Sequence, residues 1–267
     1  MAELPVIVER GDHMLVVTLN RPEKRNAINS EMMCRLCDAW NLLDEDDELH
    51  VAILTGNGST FCAGMDLTEI AVLSGGGASN DWMDRVRNEP GLVYRAWLKT
   101  DLPTKPIVLA VEGVARAGGT EILQGTDIRV AGESSLFGIT EVQRGLFPMA
   151  GSAVRLRRQI GYAVAAEMLL CGEDITAQRA LEVGLVNYVV PDGHALVKAR
   201  EIASRIAKNG PLAVKALVAT LHETESLREE AAYEIEQRHG LAVMASEDAR
   251  EGPRAFLEKR DPVFKGR

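Results

Sequence analysis

The chain has 267 residues, of which 46% are hydrophobic and 26% charged, and its formal net charge is −9. This composition is typical of a soluble globular protein with one large domain or one domain and a helical appendage, and the acidic balance argues against a nucleic-acid partner attracted by general electrostatics. The longest apolar runs are too short to span a membrane, and the opening MAELPVIVER lacks a signal-peptide pattern, so we expect a cytoplasmic protein with no membrane partner.

Two strand-like segments begin the chain, PVIVER and HMLVVTLN, hinged at Gly11-Asp12 as in a β-hairpin. A helix is expected over about 30–43, capped by Ser30, and short apolar runs of the buried-strand type follow, namely VAILTG, PIVLAVEG, DIRVAG and SLFGIT. The alternation of such strands with helical segments indicates an α/β fold built from repeated strand–strand–helix units.

The first predicted helix contains a Cys34-x-x-Cys37 pair, which raises redox and zinc-binding alternatives. No second cysteine pair follows, because the other two cysteines are isolated at 62 and 171, and the five histidines are scattered. We therefore interpret Cys34 and Cys37 as buried helical residues and expect no metal site and no disulfide framework.

From about residue 150 the pattern becomes mainly helical, interrupted by the strand-like LVNYVV. Ser226 and Glu229 have the spacing of a capping box, and Gly240 is placed to end the helix that they begin. Residues 74–91 are the most irregular segment. They fit either a surface loop or a wall over a pocket.

Two glycine-bearing loops, FCAGMDL and RAGGTEI, each follow a buried-type strand and each lead into a predicted helix. The first turn of a helix leaves backbone N–H groups without partners. If the two loops face each other, they supply two donors to one oxygen, which is the arrangement of an oxyanion hole.

Glu121 and Glu141 stand at the ends of apolar segments. Burial raises the pKa of a carboxyl group toward the range useful for general acid and base catalysis. The residues alone leave a simpler alternative open, in which each glutamate caps a helix or pairs with an arginine such as Arg144.

The segments LNRPEKRNAIN, FCAGMDL, KPIVLAVEGVARAGGTEIL, FGITEVQRGLFPMAGSAVRL, ITAQRALEVGLVNYVVP and EGPRAFLEKR occur in this order along nearly the whole chain. In order and spacing they resemble the crotonase superfamily, and enoyl-CoA hydratase in particular. The resemblance implies a crotonase-like spiral of β-β-α units over 1–200, a C-terminal helical trimerisation region over 201–267, and a homotrimer or dimer of trimers.

The resemblance also implies the chemistry. Backbone N–H groups of Met65 and Gly118 would hold the thioester oxygen of an acyl-CoA while an enolate forms, and Glu121 and Glu141 would act as general acid and base on a water molecule. The implied reaction is reversible syn hydration of a 2-trans-enoyl-CoA to a 3-hydroxyacyl-CoA. It needs no metal or redox cofactor, since coenzyme A is part of the substrate.

Further positions match family segments that contact coenzyme A: Arg25, Ala27, Ala63, Gly64, Asp66, Leu67, Phe256 and Lys259. The simpler interpretation of Lys259 is a solvated charge on the surface. The chain departs from many hydratases at Ala117, where they have glycine, and at Thr120, where they have cysteine. Three large apolar residues have two interpretations, as lining of the acyl pocket or as ordinary packing: Trp82, Met83 and Trp97.

Three alternatives to hydration stay open. The first is migration of the enoyl-CoA double bond, the second is dehydration of a specialised acyl-CoA, and the third is binding of acyl-CoA without catalysis. Isomerases of the superfamily generally work with one carboxylate, so the presence of both Glu121 and Glu141 favours hydration or dehydration.

Overall fold

Strands β1 (Val6–Gly11) and β2 (Met14–Leu19) form the predicted antiparallel hairpin, in a computed structural model that describes residues 4–69 and 78–267. The hinge lies one residue later than expected, at Asp12 and His13, which adopt left-handed φ angles of 51° and 61°. The turn therefore has two residues, and its twist matches that of the strands.

A six-stranded sheet continues from this hairpin in the order β1-β2-β3-β4-β6-β9, and all neighbours after the hairpin are parallel. A smaller three-stranded sheet has the order β5-β7-β8. The remaining strands are β3 (Val51–Gly56), β4 (Ile107–Val111), β5 (Val114–Arg116), β6 (Ile128–Gly132), β7 (Leu136–Gly138), β8 (Ile175–Thr176) and β9 (Tyr188–Val190).

Eleven helices lie within the described ranges: α1 (Ser30–Glu45), α2 (Asp81–Asn88), α3 (Leu92–Ala96), α4 (Gly118–Leu123), α5 (Ser152–Gln159), α6 (Tyr162–Cys171), α7 (Ala177–Glu182), α8 (Ala195–Ala207), α9 (Pro211–Thr224), α10 (Glu229–Met244) and α11 (Asp248–Glu258). Short 3-10 helices span Pro22–Lys24 and Glu141–Arg144, and residues 67–69 are helical. None of these helices is long and apolar enough to cross a membrane.

The chain alternates between the two sheets. It passes from β4 in the large sheet to β5 in the small one, returns through α4 to β6, and then enters β7 in the small sheet. This path is the predicted repeat of two strands and a helix, which is the arrangement implied by the resemblance to the crotonase superfamily.

Both faces of the large sheet are buried along its central strands β2, β3 and β4. Along β2, Leu15 and Val17 belong to the core that includes α1, while Met14 and Val16 face the opposite way and pack with Ala199 of α8. This separation follows from the two-residue period of a strand. Because both sides are covered, the central strands are nearly continuous apolar runs.

Three local expectations were wrong. The side chain of Asn29, not Ser30, caps α1 by accepting the N–H of Met32 at 3.0 Å. Ser226 forms no cap, because α10 begins at Glu229, and the helix continues through Gly240 to Met244. The segment over 74–91 is partly regular, since α2 spans Asp81–Asn88 with Asn80 as its cap, whereas 74–77 lie outside the described residues.

The division at residue 200 falls within α8, whose buried side chains pack on the large sheet. The helices that follow α8, namely α9 to α11, pack mainly along one another. A functional division into a catalytic part and a trimerisation part stays a prediction.

Candidate active site

The first glycine-bearing loop follows the carboxyl end of β3, and the second follows β5, which begins three residues after β4, the neighbour of β3 in the large sheet. Cys62 joins them, because its N–H donates to the carbonyl of Val114 at 3.2 Å and its carbonyl accepts the N–H of Arg116 at 3.0 Å. Loops at the carboxyl ends of parallel strands are the usual ligand-binding position in α/β proteins. The sequence did not establish that these loops face each other; the structure brings them together.

Gly64 and Gly118 approach each other closely. A Cβ atom on Gly64 would lie 3.1 Å from the nitrogen of Gly118 and 2.9 Å from the Cβ of Ala117, and the φ angle of Gly64 is +94°. A Cβ on Gly118 would lie 2.5 Å from the ring of Trp97. The backbones can meet only because these positions carry no side chain.

The N–H groups of Met65 and Gly118 form none of the hydrogen bonds found among the described residues. On either side of Met65, the N–H of Ile28 donates to Gly64 and the N–H of Asp66 donates to Ile28, at 2.8 and 2.9 Å. This bridge fixes the Met65 peptide while leaving its N–H unused. Two positioned, unused donors in facing loops are suited to bind one oxygen atom.

Glu121 lies on α4, with only 4% of the residue exposed. The N–H of Ser152, at the start of α5, donates to its Oε1 at 3.1 Å. Burial raises the pKa of Glu121 above its ordinary value, and hydrogen bonds from Ser152 and from the backbone of Ala150 and Gly151 oppose that rise. These donors hold the carboxylate form of Glu121 in an apolar setting.

Glu141 has a different environment. Its Oε2 is buried and has no hydrogen-bond partner among the described residues. Burial, with the negative charge of Glu121 as a second cause, raises the pKa of Glu141 to about 7, although Arg144 partly offsets the rise. The two carboxyl groups are thus close enough to influence each other, and one is supplied with donors while the other is not. Such a pair can share one proton near neutral pH.

Six of the predicted coenzyme A contacts lie together around these loops. Ala63 donates its N–H to the carbonyl of Arg25 at 3.0 Å, and one guanidinium nitrogen of Arg21 donates to the carbonyl of Ala27 at 2.7 Å and to the carboxylate of Asp66 at 3.1 Å. Gly64 lies between Ala63 and Met65 in the same loop, and Leu67, which follows Asp66, is 54% exposed.

The other two predicted contacts are elsewhere. Phe256 lies on α11 with 81% of its surface exposed, and Lys259 ends that helix in a left-handed conformation. Neither forms a hydrogen bond or an ion pair with the glycine loops among the described residues.

The three candidate acyl-pocket residues differ in position. Trp97 is 5% exposed and its ring lies against Gly118. Met83 is also 5% exposed. The guanidinium of Arg35 lies 5.2 Å from the centroid of the Trp82 ring. Trp97 thus touches a proposed oxyanion donor, whereas Trp82 packs against the core that includes α1.

Sequence reasoning missed Asn26, which is fully buried and left-handed at φ 52°. Its side-chain amide donates to the carbonyls of Asn57 and Thr60 at 2.8 and 2.7 Å. Asn26 therefore fastens the RNAIN segment to the loop that follows β3. An asparagine between two turns was a signal for such a contact.

A cavity of about 610 Å³ lies at the opposite end of the large sheet. Its walls include His50 and Lys105, which precede β3 and β4, and the tail over 261–266. Glu121 and Glu141 lie beyond the carboxyl ends of β5 and β7, so this cavity is separate from the candidate site. Among the described residues, no group of three or more His, Cys, Asp or Glu side chains is arranged to hold a metal ion.

The sequence model of the family "Enoyl-CoA hydratase/isomerase" matches residues 9–267. An enoyl-CoA hydratase of Mycobacterium tuberculosis, EchA19, is 51% identical over 98% of this chain and 96% of its own length. A 2,3-dehydroadipyl-CoA hydratase of Escherichia coli is 38% identical over the full length of both chains.

Solved structures agree with these sequence matches. The crystal structure of an enoyl-CoA hydratase from Mycobacterium tuberculosis superimposes with a TM-score of 0.90 at 40% identity, covering 99% of this chain and all of that one. That of EchA1 from Mycobacterium marinum gives 0.89 at 38% identity, with 99% and 100% covered. The chain therefore belongs to the enoyl-CoA hydratase/isomerase family of the crotonase superfamily.

Proposed function

We propose that this protein is a hydro-lyase that adds water reversibly, in the syn sense, to a 2-trans-enoyl-CoA and forms a 3-hydroxyacyl-CoA. The observation that carries the proposal is the pair of carboxyl groups, Glu121 and Glu141, held in contrasting environments beside two unused backbone donors. The names of the relatives, which include hydratases and a carnitinyl-CoA dehydratase, support this class of reaction.

In the proposed reaction, the N–H groups of Met65 and Gly118 bind the thioester oxygen. Ionised Glu121 takes a proton from water while the water oxygen bonds to C3. Protonated Glu141 then supplies the proton that bonds to C2, as the enolate held by the two N–H groups collapses to the thioester. The pair begins and ends with one proton, so no external acid, base, metal or redox cofactor is consumed.

A second candidate is the removal of water from a specialised hydroxyacyl-CoA, because a carnitinyl-CoA dehydratase of Salmonella is 36% identical over 97% of both chains. Double-bond migration needs only one carboxylate, so it leaves one of the two glutamates without a role. A binding protein without catalysis leaves both without a role.

We propose that the pantetheine and adenine portions of coenzyme A lie along Arg25, Ala27, Ala63, Gly64, Asp66 and Leu67. Phe256 and Lys259 are assigned to a coenzyme A bound by a neighbouring subunit, because they lie apart from the glycine loops and Phe256 is exposed.

We also propose a homotrimer or dimer of trimers in the cytoplasm. Many large apolar residues each expose more than three-fifths of their own surface: Phe147, Met149, Tyr162, Leu170, Leu217, Leu221, Leu241, Met244, Phe256, Leu257 and Val263. Such extensive apolar exposure is typical of protein interfaces. Light scattering coupled to size exclusion tests the subunit number.

The reaction class is tested by incubating the protein separately with a 2-enoyl-CoA and with a 3-enoyl-CoA and identifying the products by mass. Gain of one water from the 2-enoyl substrate, with no isomerisation of the 3-enoyl substrate, supports the proposal. Isomerisation without hydration overturns it.

A further inference from the structure

A chain of buried polar side chains runs behind Glu121 and is not used by the mechanism above. Gln124 lies one turn after Thr120 on the same segment, and its Nε2 donates to the carbonyl of Thr120 at 3.1 Å and to the Oγ of Ser152 at 2.7 Å. Ser152 is fully buried and Gln124 is 3% exposed. Both hydrogen bonds therefore form away from water, where their geometry matters most.

The orientation of the Gln124 amide follows from its partners. A carbonyl oxygen can only accept, so the atom that faces the Thr120 carbonyl must be the NH₂ group and not the oxygen. The same nitrogen faces Ser152, and therefore the Ser152 oxygen accepts its second N–H. The carbonyl end of Gln124 is left without a partner among the described residues.

The direction of the Ser152 hydroxyl follows in turn. Because its oxygen accepts from Gln124, its single proton is available to a different acceptor. The neighbouring acceptor is Glu121, which already receives the Ser152 backbone N–H at 3.1 Å, and a hydroxyl proton directed to the same carboxylate lowers the pKa of Glu121. The Ser152 residue can thus supply two donors to one carboxylate, its backbone N–H and its hydroxyl.

We propose that Gln124 and Ser152 are positioning residues, in which the Gln124 amide turns the Ser152 hydroxyl toward Glu121 and so keeps Glu121 as the ionised, water-activating member of the pair. The inference rests on the proposed hydration and names residues that tune its base. Neither side chain touches the substrate; Ser152 acts through Glu121, and Gln124 acts through Ser152.

Several charged groups lie on the elements around Glu121, and none of the substitutions proposed below alters them. They are Glu141 and Arg144 of the 3-10 helix, Lys99 after α3, Arg129 of β6 and Arg155 of α5. A change in the titration of Glu121 in these variants therefore reports the hydrogen bonds and not a lost charge.

The test begins with Ser152→Ala and Ser152→Gly, which remove the hydroxyl and keep the backbone N–H. Loss of one donor to a carboxylate costs about 1 kcal/mol and should move the acidic limb of the kcat/KM profile upward by roughly 0.7 pH unit. We expect kcat to fall about fivefold, the rate equivalent of that free energy, with little change in KM. Ser135→Ala is the matched control, because Ser135 is also fully buried but its hydroxyl donates to the carbonyl of Val111 at 3.2 Å; its profile should equal that of the wild type.

Gln124→Met keeps the side-chain volume and removes the amide. It should shift the acidic limb of the kcat/KM profile upward, as Ser152→Ala does, but by a smaller amount. If Gln124 acts only through the Ser152 hydroxyl, adding Gln124→Met to the Ser152→Ala protein should not move the acidic limb of the kcat/KM profile any further. An equal shift in both backgrounds would overturn the assignment of Gln124.

Infrared titration of the protonated-carboxyl band, assigned with Glu121→Gln, separates this inference from the proposed activity because it needs no turnover. A raised Glu121 pKa in Ser152→Ala supports the positioning role even if no enoyl-CoA is hydrated. Rapid hydration with an unshifted Glu121 pKa in folded Ser152→Ala and Ser152→Gly overturns it while leaving the activity intact.

Discussion

Gly64 lies so close to Gly118 that a Cβ on Gly64 would come within 3.1 Å of the Gly118 nitrogen. This nitrogen and that of Met65, the next residue after Gly64, are the two donors proposed to bind the thioester oxygen. The gap between the loops therefore decides whether both donors can reach one atom.

The first prediction concerns this gap. Gly64→Ala should force the loops apart, because its Cβ meets backbone and its φ of +94° is unfavourable to alanine. Loss of a positioned oxyanion donor typically lowers kcat by about 10²–10³, and we expect a fall of that order in steady-state assays.

A matched control for that variant is Gly193→Ala. Gly193 has a φ of +82° but no atom within 4 Å of its added Cβ. It imposes similar backbone strain without crowding, so its kcat should stay near that of the wild type. If both variants lose activity equally, general strain explains the loss and the gap is not the cause.

The second prediction is the pH dependence. Because the glutamate pair holds one proton at the start and at the end of the reaction, kcat/KM should be bell-shaped. Hydration and dehydration should give the same two limbs. The alkaline limb should lie near the raised pKa of Glu141, about 7. Rate profiles measured in both directions that differ in their limbs would contradict a shared proton.

The third prediction links the same pKa to stability. A folded-state pKa raised from 4.5 to about 7 means that the native state binds more protons than the unfolded state between these values. The free energy of unfolding therefore falls as pH rises through this window, and the loss is complete above pH 7.

Glu141→Gln removes the buried charge, so it should melt above the wild type at alkaline pH by roughly 2–6 °C. The difference should shrink toward zero as pH falls to the ordinary carboxyl range. Thermal melts of both proteins across this range, with Glu23→Gln on an exposed position as the control, provide the check. A constant difference at every pH would show that Glu141 is not the group responsible.

The fourth prediction concerns Ala117, which precedes Gly118. Its φ of 51° and ψ of −126° are a conformation that favours glycine. Ala117→Gly should raise the free energy of unfolding by about 1 kcal/mol, whereas Ala115→Gly in β5 should lower it, since Ala115 is fully buried in a strand. Denaturant titrations that rank the two variants the other way would refute the strain at Ala117.

Strand positions were predictable because each buried strand is a short apolar run, and VAILTG matches β3 residue for residue. The cap of α1 was misplaced by one residue because Asn29 and Ser30 are both good caps, and only the fold directs the Ser30 hydroxyl to Glu69 instead, at 2.5 Å. Local sequence contains no information about that distant partner.

For the candidate site, sequence motifs predicted which residues matter but not how they meet. The pairing of Cys62 with Ala115, which sets the spacing between the loops, joins residues 53 positions apart. The contrast between Glu121 and Glu141 likewise depends on Ser152, which follows Glu121 by 31 residues. Such long-range contacts arise from strand order and cannot be read from either motif alone.

The central claim is tested most directly by the loss of absorbance of the enoyl-thioester double bond with crotonyl-CoA and a longer 2-enoyl-CoA. Wild type, Glu121→Gln and Glu141→Gln are compared at equal acyl-CoA occupancy. We predict rapid loss in the wild type and a fall of about 10²–10⁴ in each variant, with acyl-CoA affinity retained. Tight binding of both substrates by the wild type without any loss of absorbance would contradict hydration by the two glutamates.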